Sequence, residues 1–161
     1  MSANTPATAQ AGIDPRAPRF GAGITAVLLL VVIGLALGTT GPAAIILFAA
    51  LTALFGYAAL AGIQRHPYGL FFRKVIRPRL APPTEVEDPT PPTFAQGVGF
   101  VITAVGLLLS LVGVPYALVV AASLAFIAAF LNSVFALCLG CQIYLLLVRS
   151  RVIRPNGAAS A

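Results

Sequence analysis

Residues 21–63, GAGITAVLLLVVIGLALGTTGPAAIILFAALTALFGYAALAGI, contain no charged side chain. Thr39-Thr40-Gly41-Pro42 divides the run, since Gly beside Pro stops one helix and starts another. Gly21 to Gly38 supplies about 18 apolar residues, just enough to cross a bilayer. Ala43 to Ile63 supplies about 31 Å of helix at 1.5 Å per residue. The stretch predicts a transmembrane hairpin.

The whole chain has the composition that goes with this reading. Hydrophobic residues make up 59% of it and charged residues 9%, against roughly 25% charged in an ordinary soluble domain. A soluble fold of this size could not cover its surface with so few charges. The charges are also segregated: Asp14, Arg16 and Arg19 precede the first run, Arg65 through Asp88 fill one central segment, and Arg149, Arg151 and Arg154 close the chain. Between them lie long uncharged stretches, as expected where a mid-bilayer charge costs about 2.5–3.5 kcal/mol. The formal charge of +6 needs no nucleic-acid partner, because membrane-flanking cations meet anionic lipid headgroups. Arg is preferred to Lys, and Lys74 is the single Lys. With abundant Ala, Gly and Pro, this suggests a GC-rich bacterial genome.

Residues 1–17 are polar and small and are expected to be a disordered tail. A membrane domain follows over 18–149, with spans at 21–38, 43–63, 94–112 and 116–137 and a C-terminal tail over 150–161. Between the second and third spans, 66–78 mixes aromatics with cations, which suits a short helix in the headgroup layer. Residues 81–93 read as an extended, acidic Pro-rich linker. Gly113-Val114-Pro115 forms the second short turn. The last apolar run, Tyr116 to Val148, would measure about 50 Å as a straight helix, beyond the roughly 30 Å hydrocarbon layer. Its excess is expected to bend away, with Gly140 as the hinge.

All the Arg and Lys residues fall in the two tails and the central segment, and the short turns hold none. By the positive-inside rule both termini are expected in the cytoplasm, with the protein in the bacterial cell membrane. The competing reading, a signal peptide ending near Ala36-Leu37-Gly38, has an unusually long apolar core. A weak internal repeat matches Pro18 through Ile24 to Pro92 through Val98, and Tyr68 through Arg73 to Tyr144 through Arg149. The expected fold is therefore all-α, four transmembrane helices as two parallel helix-hairpin repeats, with short interfacial helices after the second and fourth spans.

Cys138-Leu139-Gly140-Cys141 holds the only cysteines. Residues three apart share a helix face, so the thiols could pair as a disulfide, hold a soft metal or exchange with a partner. Packing as small apolar side chains is the plain alternative. A zinc site wants four ligands, which this chain does not supply nearby, so neither metal nor cofactor is expected. If a helix starts at the pair, its free N–H groups lower a thiol pKa. The repeat sets Arg65 opposite Cys141 with His66 beside it, making both candidates for stabilising a thiolate there. Asn132 and Ser133 fall within the last span, where an Asn usually bonds a neighbouring helix. Gly34 and Gly38 form a G-x-x-x-G step that reads as a close helix contact. No Asp, Glu, Lys or Arg lies inside a span, which weakens a proton-coupled transporter.

Four motifs carry a family resemblance: D-P-R-x-P-R-F at 14–20, H-P-Y-G-L-F-F-R-K-V-I-R-P-R-L at 66–80, F-A-Q at 94–96 and L-N-S-V-F-A-L-C-L-G-C-Q-I-Y at 131–144. With them the chain resembles the bacterial integral-membrane proteins grouped as domain of unknown function 4395, a family with no established activity. Actinobacterial members are often associated with thioredoxin-like and sulfurtransferase-like proteins. The resemblance thus implies thiol or sulfur handling for Cys138 and Cys141, with such a cytoplasmic protein and the lipid bilayer as partners. Two classes stay open: a membrane thiol-redox or sulfur-relay element, and a non-catalytic subunit or small transporter whose cysteines only pack. Assembly as a homo-oligomer is open in both.

Overall fold

The structure is a computed structural model and describes residues 12–38, 41–83 and 85–153. Thr39-Thr40 of the first turn, most of the expected N-terminal tail and the C-terminal tail from 154 lie outside them. The described chain is helical, with one isolated antiparallel bridge between Ile13 and Glu87. Four long helices, α1 (Arg16–Leu37), α2 (Gly41–Ala61), α4 (Thr90–Leu111) and α5 (Ala117–Phe135), are long and apolar enough to cross a membrane. Two shorter ones follow the second and fourth: α3 (Pro67–Phe71), which runs on through a wide turn over Phe72–Ile76 and a tight one over Arg77–Arg79, and α6 (Leu139–Arg149).

Two helices start earlier than the apolar runs suggest, each for a local reason. Asp14 Oδ1 accepts the backbone N–H of Arg16 at 3.0 Å, so α1 begins at the basic flank. Asp88 Oδ1 accepts the N–H of Thr90 at 2.8 Å and its hydroxyl at 2.7 Å, and α4 then carries Pro91 and Pro92 in its first turn. Proline is tolerated there because that N–H has no intrahelical partner to lose.

Helix α1 packs on α2 and α5, and α4 packs on the same two; α3 lies against α1 and α6 against α4. The tightest core joins Leu29 and Val32 of α1, Phe48 and Leu51 of α2, and Leu118, Ala121, Ala122 and Ala125 of α5. Those residues all fall in the half of the bundle nearest the two short turns. Gly106 lets α4 reach it, since a Cβ there would run into Ala121. Close backbone approach of this kind holds membrane helices together, because lipid tails are as apolar as the core. The outer faces remain apolar, with Leu60 92% and Ile46 70% exposed, as a lipid-facing surface requires. Two hydroxyls inside, Thr52 and Thr103, donate to the carbonyls of Phe48 and Gly99 one turn back at 2.9 Å each, and so leave no unpaired donor.

Two expectations are corrected. The last apolar run does bend, but at Ala136 rather than Gly140. Ala136 adopts the left-handed conformation (φ 58), and the Leu137 N–H closes back on the Leu131 carbonyl at 3.1 Å, ending α5. Gly140 lies instead in the first turn of α6. It is small because α6 presses on α4 there: a Cβ would sit 2.6 Å from the Cα of Ala95. The Gly34–Gly38 step makes no close contact with another helix among the described residues, since a Cβ at Gly34 would meet nothing within 4 Å there.

Candidate functional site

Opposite the packed half, the bundle is hollow. A cavity of about 800 Å³ opens where the start of α1, the end of α2, α3, the start of α4, the end of α5 and α6 converge. The N-terminal strap closes part of its rim. Asp14 and Arg16 form an ion pair at 2.9 Å, Arg16 also donates to the Ala81 carbonyl at 3.0 Å, and Ile13 exchanges backbone hydrogen bonds with Glu87. The Arg16 guanidinium holds the Asp14 carboxyl below the usual carboxylate range, against the opposing effect of burial. Of the expected tail, Ile13 thus carries the bridge to Glu87, and Arg16 and Ala17 already belong to α1.

Cys138 and Cys141 are on the cavity wall and form a disulfide, with Cα atoms 5.2 Å apart. The break at Ala136 turns Cys138 into the N-cap of α6, and its Sγ accepts the N–H of Cys141 at 3.3 Å. Four N–H groups at a helix start lack intrahelical acceptors, and the aligned peptide dipoles favour negative charge there. One sulfur of the pair is therefore held where a thiolate would be stabilised.

His66 lies on the same wall. It is buried and caps α3: its Nδ1 accepts the N–H of Tyr68 at 3.3 Å, and the two rings pack with centroids 4.7 Å apart. Accepting through Nδ1 puts the proton of the neutral ring on Nε2. Burial pushes the His66 pKa below its ordinary value, so the ring is uncharged at pH 7, and burial likewise raises the Tyr68 phenol. Arg65 is exposed and lies off the cavity wall. The structure thus brings His66, Cys138 and Cys141 to one space and leaves Arg65 outside it. Among the described residues no cluster of His, Cys, Asp and Glu could hold a metal ion.

The wall also carries charged side chains, among them Arg19, Arg73, Arg77 and Glu87, and two amides that lie within the long helices. Asn132 faces the space from α5, while its neighbour Ser133 packs on α1, where a Cβ on Gly23 would lie 2.9 Å from its Oγ. Gln96 is on the cavity wall from α4, and its buried Oε1 has no hydrogen-bond donor among the described residues. Reading from the sequence assigned Gln96 no role. A lone amide early in an apolar span is itself the signal that would have flagged it.

The model of one protein family, described as a domain of unknown function (DUF4395), matches residues 13–149. No curated protein and no solved structure matches the chain.

Proposed function

The chain belongs to the DUF4395 family, and from that premise we propose that it is a multi-pass membrane protein performing thiol–disulfide or sulfur exchange through Cys138 and Cys141. The observation that carries this reading is the placement of Cys138 as the cap of α6, its sulfur on the Cys141 N–H, in the wall of an accessible cavity. A cysteine that only packs needs none of these.

Cys138 is the attacking sulfur, because a helix start and a bonded N–H favour its thiolate. Cys141 resolves the mixed disulfide. Neutral His66 offers its Nε2–H as a hydrogen-bond donor to the cavity they share, its Nδ1 being taken by the Tyr68 N–H, whereas exposed Arg65 contributes a field that salt screens. The basic segments favour the cytoplasmic side of a bacterial membrane for this end of the bundle, and a thioredoxin-like or sulfurtransferase-like protein there is the exchange partner in this reading. The two hairpins are read as parallel repeats, each ending in a short helix folded against its own first span.

Alkylation of the Cys141→Ser variant tests the assignment. The rate against pH is expected to report a Cys138 pKa clearly below the free-cysteine value of about 8.5. Arg65→Ala in that background leaves the profile in place. A Cys138 that titrates at or above the free value would remove the basis for exchange chemistry.

A further inference from the structure

The cavity is deeper than thiol exchange with a soluble partner requires. Its wall runs along α4 from Pro92 to Ile102 and along α5 from Ala136 back to Leu124. At 1.5 Å per residue it reaches about 15–18 Å along the helices, roughly half the hydrocarbon thickness. Its character changes with depth. The disulfide, His66, Gln96 and Asn132 line the part nearer the chain termini together with charged side chains such as Arg73 and Glu87, and Phe55, Ile102 and Ala128 line the deep part. Thr25 also lies deep, but its hydroxyl already donates to the Gly21 carbonyl at 3.0 Å. A polar head beside a disulfide and an apolar extension toward the bilayer centre describe one kind of ligand.

We propose that the cavity binds an isoprenoid-type quinone, its ring beside the Cys138–Cys141 pair and its chain in the apolar depth, and that the reduced pair is oxidised by it. The proposal rests on the thiol-exchange reading and names the second substrate of the same site. A lipid would fill the space but has no use for a redox pair. A soluble thiol would meet the pair but leave the apolar depth empty.

The chemistry balances as two thiols plus quinone giving disulfide plus hydroquinone. The Cys138 thiolate adds to a ring carbon, forming a C–S bond while the ring takes up the electron pair. Cys141 then attacks the Cys138 sulfur, forming the S–S bond and breaking the C–S bond, whose electrons stay with the ring. The two thiol protons end on the two ring oxygens, exchanged through water at the open mouth of the cavity. The wall matches both forms of the ligand. The Nε2–H of neutral His66 donates to a quinone carbonyl. The orphan Oε1 of Gln96 needs a donor, which the hydroquinone hydroxyl supplies and the quinone does not. Buried acceptors without partners are rare, so this one favours the reduced product.

Purified wild-type protein in detergent micelles, reduced with dithiothreitol and desalted, tests this with decyl-ubiquinone as the probe. One quinone should be reduced per cysteine pair. The rate should saturate with quinone concentration and exceed that of an equal concentration of free dithiothreitol at least tenfold. Ala128→Phe, which fills the deep part, should lower the rate at least tenfold, and Gln96→Leu several-fold. A wild-type rate that stays linear in quinone and no faster than free dithiothreitol overturns the proposal whatever the variants do. The same sample is also reoxidised with glutathione disulfide. Normal exchange there with no quinone effect sinks only the quinone, whereas failure with both sinks the exchange reading as well.

Discussion

The segment after α2 and the segment after α5 solve one local problem in the same way and then diverge. Each long helix ends on a residue of positive φ, Gly62 at 87° and Ala136 at 58°. Each chain then caps a new helix with a side chain, His66 Nδ1 on the Tyr68 N–H and Cys138 Sγ on the Cys141 N–H, both at 3.3 Å. Each new helix folds back on the first helix of its own hairpin. Phe71 and Phe72 pack against Phe20 with ring centroids 6.2 and 5.7 Å away, and Tyr144 packs against Phe94 at 5.5 Å. What differs is the capping atom, a ring nitrogen that handles protons in one case and a sulfur that handles electrons in the other. Both residues line the same cavity. The comparison teaches that the scaffold positions a cap, and that the residue chosen for the cap sets the chemistry.

The two docked helices are not equally tight, and this gives the largest expected effect. At Gly140 a side chain would strike the backbone of Ala95, while at Gly21 of α1 a Cβ would lie 3.5 Å from the Cβ of Tyr68 on α3, an ordinary contact. Gly140→Val is therefore expected to cost about 3 kcal/mol, at the upper end of overpacking, because backbone cannot rotate out of the way. Gly21→Ala should change stability by no more than about 1 kcal/mol, the helix-propensity difference between the two residues. Thermal midpoints of the two variants in detergent measure the contrast. Equal midpoints would mean that α6 does not press on α4 as described.

The two turns predict effects of opposite sign. Gly62 combines φ 87 with ψ 147, a region open essentially to glycine alone. Nothing lies within 4 Å of a Cβ there, so the cost of Gly62→Ala is conformational, about 2 kcal/mol. Ala136 has φ 58 and ψ 21, the left-handed helical region that glycine fills without penalty. Ala136→Gly should thus gain about 1 kcal/mol, read as a higher midpoint in the same assay. A loss at Ala136→Gly would show that the turn is held by its neighbours rather than strained.

The same pair of turns explains what could be read in advance. The four spans were legible because an uncharged run of about 20 residues has one common explanation. The bend was legible only as excess length. Its position was not, because Ala136 carries no turn signal, whereas Gly140 does and uses its small size for packing instead. Cys138 and Cys141 stood out as the only cysteines, and His66 as the only histidine. That they share a space depends on the bundle being filled at one end and hollow at the other. That arrangement follows from tertiary contacts such as Gly106 on Ala121, and no local pattern announces it. Gln96 was visible as a residue and not as an orphaned acceptor, a property that exists only once the helices are assembled.

The smallest effect separates the two caps by pH. Burial lowers the His66 pKa, so the unfolded chain binds a proton at that ring more readily than the folded one. The contribution of the cap is then complete above about pH 6.5, the ordinary histidine value, and declines as pH falls from there toward the folded pKa. Protonation also removes the acceptor that takes the Tyr68 N–H. The sulfur of Cys138, bound in a disulfide, does not titrate, so the cap of α6 should hold through the same range. Between pH 7 and 5 the wild type should lose under about 1 kcal/mol, the size of a single N-cap. His66→Asn, which keeps a capping oxygen and has no proton to gain, should flatten that slope. If the slope persists in His66→Asn, another group senses pH, and the contrast between a proton-handling cap and an electron-handling one loses its support.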